Sequence, residues 1–261
     1  MNRQSRSQVL AVLLNVLMAI IHLLAALGVL AKNASWQLAE IFPNDFYPAA
    51  FVFYAWISLY AFLIFYHLYD HNVIAPFKSE FARQYCAVAD VGLIFISVVE
   101  MVRIYVLHQG LPGFSLILRM MTLLLLFRIA LAYSGNPSRP FWGRVVFDLW
   151  LGFTEFLLVT DLAMTVSRIG VEQSFLQGEI GIALLIVLAS SISIGLGVKS
   201  LSPASILAMF AAQLAVAVKQ LAPTELDGRY PAAYITVILS LAALLAVFLV
   251  IIIKRRRKYW R

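Results

Sequence analysis

Long apolar runs alternate with short polar breaks along this chain, and eight runs reach spanning length: about 8–31, 48–69, 84–107, 114–133, 145–167, 179–198, 203–222 and 231–253. About 20 apolar residues in a helix cover a hydrocarbon core roughly 30 Å thick. The breaks carry residues that stop helices: Gly110-Leu111-Pro112-Gly113, Ser134-Gly135-Asn136-Pro137-Ser138, Lys199-Ser200-Leu201-Ser202-Pro203, and the segment 223–231. Around 199–203 the pattern fits either two spans or one broken helix. Pro48 suits the first turn of the second run, where its missing N–H costs nothing. No break is long enough to divide the chain. The pattern predicts an all-α integral membrane protein, one eight-helix transmembrane bundle over residues 1–261.

Composition supports this reading. The chain is 62% hydrophobic and 13% charged, where a soluble domain is about half apolar and a quarter charged. Of the formal charge of +7, six basic residues lie at the C-terminus: Lys254, Arg255, Arg256, Arg257, Lys258 and Arg261. They read as a lipid-headgroup anchor, and the basic grooves and stacking platforms of nucleic-acid binders are missing. Membrane lipid is the expected partner, and nucleic acid is not. With both termini on one side, that side collects those six plus Arg3, Arg6, Lys78, Arg83, Arg139, Arg144 and Lys199, thirteen in all. The other side has four, Lys32, Arg168, Lys219 and Arg229. The bias predicts cytoplasmic termini, in a multi-pass protein expected in a bacterial inner (cytoplasmic) membrane. The first run follows Arg3 and Arg6 without a clear small-residue cleavage site and reads as a retained helix.

Eight charges fall inside the spans: Asp90, Glu100 and Arg103 on the third, Arg119 and Arg128 on the fourth, Asp148, Glu155 and Asp161 on the fifth. Each costs about 2.5–3.5 kcal/mol at a helix centre, so each is expected to face protein or water with a partner. Glu100 and Arg103 are spaced to pair along one helix. Arg119 and Arg128, two and a half turns apart, point in opposite directions, whereas Asp148 and Glu155 share a face. Five acids against three arginines leave two carboxylates to be neutral or hydrogen-bonded. The set forms either inter-helix ion pairs that fix the bundle or a proton path bounded by helices three, four and five, with Glu155 its titrating group.

Candidate chemistry beyond this is sparse. His67 and His71 at i, i+4 have metal-ligand spacing, but His22 and His108 do not converge on them, so no metal site is expected. Cys86 is the single cysteine, and no hydrolase, kinase or dinucleotide motif stands in context. Lys219 lies too close to the outer loop for a retinal Schiff base. No enzyme and no cofactor are expected.

Pro43, Asn44, Phe46, Pro48, Ala49, Phe53, Trp56, Tyr60 and Leu63 stand in the order PNxFxPAxxxFxxWxxxYxxL. This segment resembles the TspO/MBR-related tryptophan-rich sensory proteins, relatives of the translocator protein (peripheral benzodiazepine receptor) group. Phe147-Asp148-Leu149-Trp150-Leu151-Gly152-Phe153-Thr154 is similar to the PFxLYxGWxT segment of the longer members, and Pro203-Ala204 opens a helix similar to their penultimate span. Phe51 stands where the motif has its first tryptophan, Ala50 where it has glycine, and Phe153 where it has the tryptophan of its Gly-Trp pair. The compact members have a five-helix bundle, a homodimer, and a pocket under the first loop for tetrapyrroles, sterols and synthetic aromatics. The resemblance therefore implies a receptor or sensor for a hydrophobic small molecule, porphyrin or sterol-like, with Phe51, Trp56 and Tyr60 in the pocket. The pocket is expected among helices one, two and five beneath residues 32–47, a loop that reads either as a lid or as an interfacial loop with an aromatic anchor, Trp36. Phe53, Trp56, Tyr60 and Trp150 would be its stacking walls, and Asp148 or Glu155 would orient a polar group. The alternatives are a small proton-coupled transporter using Asp90, Glu100, Arg103, Arg119, Arg128 and Asp161, or a structural membrane subunit.

Overall fold

The computed structural model describes residues 3–30, 41–42, 45–46, 48, 52–70, 80–134, 141–170, 178–222, 226 and 228–259. Side chains at 3–5, 52–57, 68–70, 80–88, 134, 141–143 and 257–259 lie outside that description. Among the described residues there are eight helices and no strand: α1 (Arg3–Ala26), α2 (Val52–Asp70), α3 (Glu80–His108), α4 (Pro112–Ser134), α5 (Phe141–Arg168), α6 (Glu179–Ser200), α7 (Pro203–Leu221) and α8 (Pro231–Tyr259). Six of them are long and apolar enough to cross a membrane. The other two are α2, whose described apolar stretch is Ser58–His67, and α5, which carries Arg144, Asp148, Glu155 and Asp161.

Burial explains how α5 tolerates those charges. Between positions 144 and 167 it has no exposed side chain, because α2, α4, α6 and α7 all pack on it. A helix with no fully exposed side chain over this length is largely free of the lipid-facing constraint on composition. Two apolar cores meet at α5. Val146, Phe147, Trp150 and Leu151 join a core with α1–α4, while Phe156, Val159 and Ala163 join one with α6–α8.

The break near 199–203 separates two helices. Leu201 adopts φ 51°, a left-handed cap whose N–H bonds back to Gly197 and Val198. Ser202 then caps α7, its hydroxyl accepting from Ser205 N at 3.1 Å, with Pro203 in the first turn. Arg144 secures the corner by donating to the carbonyls of Ser200 (3.0 Å) and Leu201 (2.6 Å). Pro48, expected in the first turn of α2, instead sits buried before a helix that begins at Val52.

Gly152 brings α5 and α7 together. A Cβ there would fall inside the contact distance of Ser205 O and 2.9 Å from Ala208 Cβ. Backbone approach of this closeness between membrane helices needs a small residue.

Candidate functional site

The polar interior of the bundle divides between two faces of α5. Trp150, Thr154 and Asp161 lie on one face, since four and eleven residues at 100° each return to nearly the same direction. Trp150 is fully buried in the α1–α4 core beside Leu59 and Leu63 of α2. Tyr60 packs on the same core, its ring 5.3 Å from that of His22.

At the upper end of this face, away from the chain termini, four charges close on one another. Arg103 Nε donates to Glu100 Oε2 at 2.9 Å. Arg119 Nη1 donates to both Glu100 oxygens at 3.2 Å, and its Nε donates to Asp161 Oδ2 at 3.3 Å. Arg103 Nη1 lies 3.9 Å from Asp161. Thr122 donates to Glu100 at 2.8 Å and Ser115 to Asp161 at 3.2 Å. All four charged groups are buried, and two carboxylates balance two guanidinium groups. His22 Nδ1 bonds the Met18 carbonyl at 2.9 Å, which sets its proton on that nitrogen, while Nε2 lies 3.6 Å from Glu100. The quartet satisfies most of its own hydrogen-bonding capacity, as burial in a membrane interior requires.

The opposite face of α5 carries Asp148 and Glu155. Asp148 accepts from Arg144 Nε at 3.1 Å, one turn earlier, and belongs to the α6–α7 corner. Glu155 accepts from Ser205 of α7 at 3.3 Å. Glu155 thus faces α7 rather than α3 and α4, the helices with which the sequence grouped it, and neither carboxylate shares a face with Trp150. Asp90 is buried ten residues below Glu100 on α3, about 15 Å away along the axis. Arg128 is exposed on the outside of α4, on the side opposite Arg119, as their spacing places it. Among the other expected site residues, Phe51 lies outside the described residues. Phe53 and Trp56 lie on α2, with their side chains outside the description.

Thr154 was not singled out by sequence. Hydroxyls in these helices ordinarily bond to the carbonyl four residues back, as Ser97 does at 2.8 Å, Thr160 at 3.2 Å, Thr165 at 2.7 Å and Ser190 at 2.8 Å. Thr154 Oγ1 does not, and among the described residues it has no hydrogen-bond partner although it is fully buried. One turn below, the Trp150 Nε1–H is likewise buried and without a partner among the described residues. Two orphaned polar groups therefore stand one turn apart on the face of α5 that looks toward α1–α4.

Before α2, Asp45 and Phe46 reach the other half of the bundle, the α6–α8 side. Phe46 is buried, stacked on Phe156 at 5.2 Å, and Phe42 is buried too. Asp45 accepts from the Tyr230 hydroxyl at 3.1 Å, and its backbone carbonyl accepts from Gln220 at 3.4 Å. Burial, and after it the Asp45 carboxylate, push the Tyr230 phenol above its ordinary range. The hydrogen bond needs the phenolic proton, so its contribution is complete below about pH 10, the unfolded value, and is lost as pH rises through the raised one. Tyr230→Phe is expected to speed limited proteolysis of residues 41–48 several-fold below pH 10; cleavage at the wild-type rate would show that the contact does not hold the loop.

A family model described as TSPO-like protein covers residues 8–253. No curated protein and no solved structure matches the chain.

Proposed function

The chain belongs to the TSPO-like protein family, and from that premise we propose a membrane receptor or sensor that binds an apolar or amphipathic ligand without transforming it. The ligand lies on the face of α5 turned toward α1 and α2, on the other side of that helix from the α6–α8 core that Phe46 joins. Tyr60 and Trp150 supply aromatic walls, and the polar contact falls to Trp150 Nε1–H and Thr154 Oγ1–H rather than to Asp148 or Glu155. The observation that supports this most directly is the pair of orphaned polar groups. A buried unpaired donor costs about 1–3 kcal/mol, which a ligand acceptor such as a carbonyl, ether or carboxylate oxygen would recover. Porphyrins and sterol-like molecules present such oxygens on apolar bodies. The protein is assigned to a bacterial inner membrane with both termini in the cytoplasm.

Binding of a protoporphyrin and of a sterol to the purified protein tests the reading, with Thr154→Val and Trp150→Phe as variants. Thr154→Val keeps the shape and deletes one hydrogen bond, so about five-fold weaker binding of at least one probe is expected. The same variant removes an unpaired buried hydroxyl, so the ligand-free protein should melt at or above the wild-type temperature. Wild-type affinity in both variants would sink the assignment of these donors.

A second reading, proton-coupled transport, is favoured by Glu155, which is held by a hydroxyl rather than by an arginine. Proton-driven flux in proteoliposomes that disappears in Glu155→Gln would replace the receptor reading.

A further inference from the structure

Arg128 and Lys199 have no place in the reading above. Arg128 lies in α4 six residues before its end at Ser134, about 9 Å along the axis, and is exposed on the face that also exposes Ile117, Met121 and Leu124. Lys199, in the last turn of α6, is exposed as well, and its ammonium stands 5.9 Å from the ring of Phe127, the residue next to Arg128. Among the described residues no ion pair involves either cation, whereas Arg144 is paired with Asp148. Helices α4 and α6 are in contact. One turn above Lys199 on the same face of α6 is Gly195, exposed, with nothing within 4 Å of where a Cβ would project. The outer surface here thus combines two unneutralised cations with a bare notch and an apolar stripe above them.

We propose that this surface is a binding site for one anionic phospholipid, in the leaflet that meets the chain termini. The phosphate sits between Arg128 and Lys199, and an acyl chain runs upward over Gly195 along the exposed stripe of α4. Charge complementarity selects the headgroup, since an arginine one to two turns inside a lipid-facing helix otherwise bears its full desolvation cost. Reaching a phosphate with the guanidinium while the stem covers apolar surface lowers that cost. The α6 notch supplies the shape that a general attraction of basic residues to an acidic membrane lacks.

The test is reconstitution into nanodiscs of phosphatidylcholine with a minor fraction of phosphatidylglycerol, followed by mass spectrometry of the lipids retained on the released protein. Wild type is expected to retain phosphatidylglycerol in preference to phosphatidylcholine. Arg128→Gln or Lys199→Gln should each lower that preference about five-fold, with the double variant losing roughly the product. Both residues are exposed, so folding is not at stake, and Arg128→Lys should restore most of the preference. Lys254→Gln with Arg256→Gln, which removes exposed charges of α8, should leave it unchanged. Excess inorganic phosphate should also leave the lipid bound, because phosphate can occupy the cations but not the notch. Undiminished retention in the double variant, an equal loss in the α8 variant, or release by phosphate would each overturn the proposal.

Discussion

Arg119→Met is expected to lower the unfolding free energy by about 3–5 kcal/mol, the range for removing one partner of a buried ion pair. Arg119 is 2% exposed and bridges the Glu100 and Asp161 carboxylates, which come from different helices. Without it one guanidinium, Arg103, faces two carboxylates, and its contact to Asp161 is already long at 3.9 Å. Methionine fills the volume but leaves a surplus negative charge in a site closed to water. Adding Asp161→Asn to Arg119→Met restores neutrality and should recover a large part of the loss, which a polar-packing role alone would not predict. Unfolding by SDS in mixed micelles, followed by loss of helicity, measures both. Arg119→Met within about 1 kcal/mol of wild type would show that the quartet does not hold α3, α4 and α5 together.

Gly152→Leu is expected to prevent assembly of the native bundle, and Gly152→Ala to cost about 1–3 kcal/mol. The obstacle is the Ser205 carbonyl, a backbone atom that cannot rotate away as a side-chain terminus would. Relief requires α7 to move off α5, which also pulls Ser205 from Glu155 and disturbs the Ser202 cap. The matching control is Gly195→Ala, where the added methyl meets nothing and helix propensity alone predicts a gain of about 0.5–1 kcal/mol. Melting temperatures in detergent should therefore move in opposite directions for the two alanine variants. Similar temperatures would mean that α5 and α7 are not in close contact.

The positions of the eight described helices were legible in the sequence because apolar run length and the Gly/Pro breaks are local signals. The opposition of Arg119 and Arg128 was legible for the same reason, since 100° per residue needs no knowledge of neighbours. Partner choice was not local. The count of five acids against three arginines left out Arg144, which falls before the predicted span, yet Arg144 in the first described turn of α5 donates to Asp148. Glu155 was grouped with the charges of α3 and α4 by sequence proximity of the helices, but its face of α5 is covered by α7. Thr154 gave no signal, since a threonine in a membrane helix ordinarily satisfies itself on its own backbone. Only coordinates reveal one that does not. The aromatic ladder of Phe53, Trp56 and Tyr60 follows from helical spacing, and of the three the structure describes only the Tyr60 side chain.

The deep burial of α5 has a consequence for how the chain is made. Released alone into lipid, a segment carrying Asp148, Glu155 and Asp161 would face a penalty of about 8–10 kcal/mol, at about 2.5–3.5 for each carboxylate. The guanidinium groups that receive Asp161 belong to α3 and α4, so they precede it from the ribosome. Ser205, the partner of Glu155, emerges two helices later. During synthesis α5 therefore has one face complete and one face waiting, and it leaves the insertion machinery at least cost when α7 arrives to cover it.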